Sequence, residues 1–173
     1  MNKAMLSLPL GKILIVAVEE PKPMMEALLV RCKVQLAEYQ VQARNVHVLL
    51  LRDANQFLPA IYQGFREDTF DGIICIGCVL PIKHGHLRPS SKVSLDPSLA
   101  LRYDAIIHEV MEASLDMNIP VIWGVLPATN ETDAVELFGL GKEEGYFAEE
   151  VAARVIKMAI LNNVLLCHPR QVE

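Results

Sequence analysis

The stretch Phe70-Asp-Gly-Ile-Ile-Cys-Ile-Gly-Cys-Val-Leu80 decides the fold of this chain. It is a short apolar run, and such runs are typical of parallel strands that are buried on both faces. The loop that follows it contains Lys83, His84, His86 and Arg88. Because ligands of open α/β sheets bind just beyond the carboxyl ends of the strands, this polar loop is where we expect chemistry.

Strands and helices alternate along the whole chain. The apolar periodicities predict strands over 12–18, 46–51, 70–80 and 121–126, and helices over 23–40, 55–66, 103–118, 132–138 and 148–163. This order predicts an α/β protein with a parallel sheet, helices on both faces and right-handed crossovers. We interpret residues 1–173 as a single domain, and the long irregular stretch at about 87–101 as an insertion in it.

The composition favours a protein that associates with itself. Of the 173 residues, 52% are hydrophobic, and the mean hydropathy of +0.28 predicts apolar surface that is buried between subunits. The net charge of −5 argues against a general nucleic-acid binder. No apolar run reaches the roughly 18 residues of a membrane-spanning helix, and the first residues are too few for a signal peptide. We therefore predict a cytoplasmic protein that binds neither nucleic acid nor membrane.

The cysteines are interpreted as reduced packing thiols. Cys32, Cys75, Cys78 and Cys167 show no paired metal-ligand spacing. Cys75 and Cys78 form a C-x-x-C by count, but they lie in or at the end of the predicted strand, whereas redox pairs usually open a helix. The sequence therefore predicts no metal site.

Three segments give the chain a resemblance to the lumazine synthases. Residues 70–80 resemble the family's Y-D-A-V-I-A-L-G-C-V-I strand, residues 103–110 its Y-D-x-V-x-x-E-x helix start, and residues 118–126 its G-V-P-V-I-F-G-V-L strand. Ile156-Lys-Met-Ala159 is similar to the family's A-I-E-M-A. The resemblance implies a flavodoxin-like three-layer α/β/α sandwich with a four-stranded parallel sheet. It also implies homo-oligomers, as pentamers or larger shells, with active sites between neighbouring subunits.

The family reaction belongs to riboflavin biosynthesis. It condenses 5-amino-6-ribitylamino-pyrimidinedione with 3,4-dihydroxy-2-butanone 4-phosphate, and the resemblance implies that no metal or cofactor takes part. Such a site must stack a pyrimidine on an aromatic face, hold a phosphate dianion and move protons with a histidine.

The histidine is the functional position that the resemblance supports best. The family pattern G-C-V-I-R-G-x-T-x-H places it nine residues after the first glycine, which leads from Gly77 to His86. We interpret His86 as the candidate catalytic base, and Lys83, His84 and Arg88 as candidate substrate contacts, with a solvated loop as the alternative.

A second alignment leads to a different residue. The family histidine directly precedes Tyr-Asp, and here Arg102 directly precedes Tyr103. A guanidinium, with a pKa above about 12, cannot serve as a base. A further histidine, His108, lies within the predicted helix and is interpreted as a surface or core histidine.

Two of the family's substrate contacts are altered near the first two strands. The family has the motif R-F/W-N just after the first strand, and Glu19 and Glu20 stand at its last two positions, so the aromatic platform is lost. Two interpretations of these glutamates remain: they bind a cationic ligand, or they form a solvated acidic turn. The family's V-P-G-A-F/Y-E matches residues 51–56, and the candidate ribityl contacts are Ala54, Asn55 and Gln56. The alternative is that Asp53 or Asn55 caps the following helix.

The phosphate-binding segment is altered as well. The family's R-A-G-x-K-x-G-N-K-G aligns with residues 137–145, where Leu137 replaces the arginine and only Gly139, with Lys142 as a candidate contact, is kept. Phe138 and Leu140 are interpreted as packing residues.

These departures predict a lumazine-synthase-like oligomer of, or derived from, the riboflavin pathway, with weak or lost family activity. The alternative is a non-catalytic assembly subunit, or a small-molecule-binding homologue with a different ligand. The expected partners are other copies of the chain, a small phosphorylated or pyrimidine-like ligand, and an active paralogue.

Overall fold

A four-stranded, all-parallel sheet lies at the centre of the structure, a computed structural model in which residues 11–80, 97–141 and 145–167 are described. The strands are β1 (Ile13–Val18), β2 (Val46–Leu51), β3 (Gly72–Val79) and β4 (Val121–Pro127). Their spatial order is β2-β1-β3-β4, which is the flavodoxin-like order. The predicted parallel sheet is confirmed.

Helices cover both faces of this sheet. They are α1 (Lys22–Glu38), α2 (Phe57–Glu67), α3 (Pro97–Met117), α4 (Glu131–Leu137) and α5 (Phe147–Cys167). Helices α1, α4 and α5 pack on one face, and helices α2 and α3 pack on the other. This arrangement confirms the predicted three-layer α/β/α sandwich.

The alternation of side chains along β1 explains why two separate cores form. Ile13, Ile15 and Ala17 contribute to the core under α1 and α5, whereas Leu14, Val16 and Val18 contribute to the core under α2 and α3. Every residue of β1 and β3 is buried, as expected for central strands of a parallel sheet. Each fully buried aliphatic side chain contributes about 1.5–3 kcal/mol relative to exposure.

The helix boundaries differ from the prediction by up to six residues, and the starts of α3 and α2 bear on the site. Helix α3 begins at Pro97 rather than at residue 103, so residues 97–101, which were assigned to the insertion, are helical. Helix α2 begins at Phe57, after a 3-10 turn over Ala54–Gln56. Pro59 therefore lies in the first turn of α2, where a missing N–H costs no helical hydrogen bond.

The edge strand β2 is apolar but exposed. Val48, Leu49 and Leu50 retain 36%, 36% and 49% of their accessible surface.

None of the helices in the described part of the chain combines the length and the apolar character that a membrane span requires.

Candidate functional site

The carboxyl ends of β1 and β3 lie side by side where the strand order reverses. From β1 the chain crosses to β2 on one side, and from β3 it crosses to β4 on the other. In this class of fold, the crevice outside the carboxyl ends at such a switch point is where ligands bind. We therefore take this edge, with the residues that follow each strand, as the candidate functional site.

The residues after β1 form an acidic turn. The Glu19 N–H donates to the Leu51 carbonyl at 2.8 Å, which continues the hydrogen bonding between β1 and β2. Glu20 accepts a hydrogen bond from the Lys22 N–H at 3.2 Å and precedes a cis Pro21. Both glutamates are exposed. Two carboxylates thus stand at the switch point, at the positions where the family resemblance places an aromatic platform.

The residues after β2 form a capping box. The Asp53 carboxylate accepts from the Asn55 N–H at 2.8 Å. The side-chain oxygen of Gln56 accepts from the N–H groups of Arg52 and Asp53, at 3.0 and 3.3 Å. This confirms the alternative in which Asp53 acts as a cap. Of the three candidate ribityl contacts, Ala54 is buried in the core, and Asn55 and Gln56 are exposed.

Arg102 anchors the carboxyl end of β3. Its Nη2 donates to the Leu80 carbonyl at 3.1 Å, and its Nε is buried and has no hydrogen-bond partner among the described residues. The structure thus places a fixed cation at the candidate site, next to the start of the polar loop. This is the residue to which the second alignment of the family histidine leads.

Tyr103 joins α3 to β4. Its hydroxyl donates to the Val125 carbonyl at 3.1 Å and accepts from the Trp123 indole N–H at 3.1 Å. Phe57 packs edge-on against Trp123, with ring centroids 5.3 Å apart. The aromatic residues near this edge are therefore tied into the core.

The residues after β4 form a second cap. The backbone N–H and the hydroxyl of Thr129 both donate to the Asp133 carboxylate, at 2.8 and 2.9 Å. The Asp133 N–H donates to the Asn130 side chain at 3.0 Å, which begins α4. Like the residues after β2, these polar groups are used to fix local structure.

The cysteines of β3 cannot act as a pair. Because Cys75 and Cys78 are separated by three positions on a strand, they contribute to opposite faces of the sheet. Cys32, Cys75 and Cys78 are free and buried, which confirms the packing interpretation for these three. The side chain of Cys167 is outside the described part. In the ranges 11–80, 97–141 and 145–167, no cluster of three His, Cys, Asp or Glu side chains fits a metal ion.

We expect Cys78 to react slowly with thiol reagents although it lies at the candidate site. Burial, with a smaller effect from Glu131, raises the pKa of its thiol from 9.0 to about 11. This lowers the thiolate fraction at neutral pH by roughly a hundredfold. Peptide mapping after brief iodoacetamide treatment of native and urea-unfolded protein measures the difference. Native labelling as fast as unfolded labelling would contradict the prediction.

Several predicted site residues cannot be placed. Outside the described residues lie the candidate base and four candidate substrate contacts: His86, Lys83, His84, Arg88 and Lys142. His108 is described, and its side chain is 77% exposed and pairs with Glu112 at 3.4 Å. This confirms that His108 is a helix-surface histidine.

Arg31 contacts both Gly139 and Gly145, which lie on either side of residues 142–144 after α4. Gly139 has a φ of +65°, and the Gly145 N–H donates to its carbonyl at 3.0 Å. The Arg31 guanidinium donates to the Glu149 carboxylate at 2.6 Å and to the Gly145 carbonyl. Sequence reasoning missed Arg31 because its partners lie more than 100 positions away. Phe138 is fully buried and Leu140 packs against the core, which confirms their packing roles.

No family model matches the chain. It is similar to the 6,7-dimethyl-8-ribityllumazine synthase of Schizosaccharomyces pombe. The two sequences are 24% identical over 127 residues, which cover 70% of this chain and 72% of the yeast protein. This likeness and the four-stranded parallel sheet are both compatible with the family resemblance.

Proposed function

We propose that this chain is a lumazine-synthase-like protein of, or derived from, the riboflavin pathway, with weak or lost lumazine-forming activity. The capping box after β2 is the observation that carries the proposal. The Gln56 side-chain oxygen accepts hydrogen bonds from the Arg52 and Asp53 N–H groups, at a position where the resemblance implies a ribityl contact, and the neighbouring Asp53 carboxylate accepts from the Asn55 N–H. An oxygen already used in this way offers less to a substrate hydroxyl.

The other altered positions support the same conclusion. Carboxylates of Glu19 and Glu20 replace the aromatic platform and repel a phosphate dianion, by about 1 kcal/mol per charge pair at 4 Å in water. Leu137 is 47% exposed where the family has an arginine. Loss of that charge-assisted contact costs about 1.5–3 kcal/mol, which is roughly a tenfold to hundredfold loss of phosphate affinity.

We expect purified protein to form lumazine at least about a hundredfold more slowly than the Schizosaccharomyces pombe enzyme under the same conditions, since stacking and phosphate contacts are weakened together. Absorbance and fluorescence of the product, with both substrates supplied, measure the rate. Folded protein is verified by circular dichroism in the same sample. A rate equal to that of the yeast enzyme would contradict weak or lost activity.

Two variants distinguish between the two alignments of the family's catalytic histidine, which lead to His86 and to Arg102. If His86 is the base, His86→Ala abolishes the residual rate, and Arg102→His leaves it unchanged or lowers it. If the family position is held by Arg102, Arg102→His raises the rate and His86→Ala has little effect. His108→Ala, at an exposed position on α3, is the matched control for a histidine substitution.

The exposed apolar edge favours a second candidate, a non-catalytic assembly subunit. An unprotected apolar edge strand is a liability in a monomer, and proteins normally cover one. β2 presents Val48, Leu49 and Leu50 without an intervening charge or proline. Subunits of this kind would form pentamers or larger homo-oligomers, or mixed oligomers with an active paralogue.

We expect Leu50→Lys to lower the mass of the assembly measured by light scattering, because a buried lysine charge opposes association. Phe65→Lys, at a residue of α2 that is 39% exposed, is the matched control and should leave the mass unchanged. A wild-type protein that is monomeric at all concentrations would contradict the assembly proposal, without bearing on the lumazine assay.

A further inference from the structure

We draw no further inference here: the strongest candidate, the apolar groove that Leu115, Met158 and Leu161 line between the end of α3 and α5, is an exposed surface, and nothing in the structure shows what covers it.

Discussion

Gly139→Ala is expected to lower the free energy of unfolding by about 3 kcal/mol. Alanine is strained in the left-handed backbone conformation of this position, and its Cβ would clash with Gly145. The φ of Gly139 is +65°, and an ideal Cβ there would lie 2.3 Å from Cα and 2.5 Å from N of Gly145. Because both atoms belong to the backbone, no side-chain rotation relieves the contact. Urea unfolding followed by circular dichroism measures the loss.

Gly141→Ala is the control for this substitution. An added Cβ at Gly141 meets Glu136 Cγ at 3.3 Å, and this contact is with a flexible side chain. We expect a change within about 1 kcal/mol, because alanine also restricts the unfolded chain. Equal losses for the two variants would show that the turn has no special need for glycine at Gly139.

The strands could be predicted because their apolar runs reflect burial in the core. Residues 70–80 are almost all apolar, and each residue of β3 is buried in the structure. The start of α3 was predicted too late because polar residues around it resemble a loop. Pro97 at the first helical position was the available signal, and Leu99 is buried in the α2/α3 core.

Less of the candidate site could be predicted, because its side chains form hydrogen bonds with backbone groups whose positions are set by the folded structure. Asp53 was foreseen as a cap, with Asn55 as the other choice, because a capping side chain and the backbone N–H that donates to it lie within three residues. The Gln56 side chain was interpreted as a ligand contact, and this stays a prediction; the structure adds that its oxygen accepts from two backbone N–H groups. Arg102 was found through the resemblance alone, and its bond to the Leu80 carbonyl depends on how α3 returns to β3.

Arg31→Met is expected to lower the free energy of unfolding by about 2 kcal/mol. The ion pair of Arg31 with Glu149 has side chains only 25% and 23% exposed, and within the described part of the chain Glu149 Oε2 is buried without a hydrogen-bond partner. Removing the guanidinium therefore leaves a largely desolvated carboxylate and also frees the Gly145 carbonyl. Urea unfolding at neutral pH measures the loss.

The cost of an uncompensated charge can be separated from the cost of lost packing. Glu149→Gln in the Arg31→Met background removes the charge and should restore roughly 1 kcal/mol, because a neutral amide is cheaper to bury than a carboxylate. Arg154→Met breaks the neighbouring pair with Glu150, whose side chains are 66% and 64% exposed, and should cost less than about 0.5 kcal/mol. If Arg31→Met and Arg154→Met cost the same, the ion pair of Arg31 does not stabilise the segment between Gly139 and Glu149.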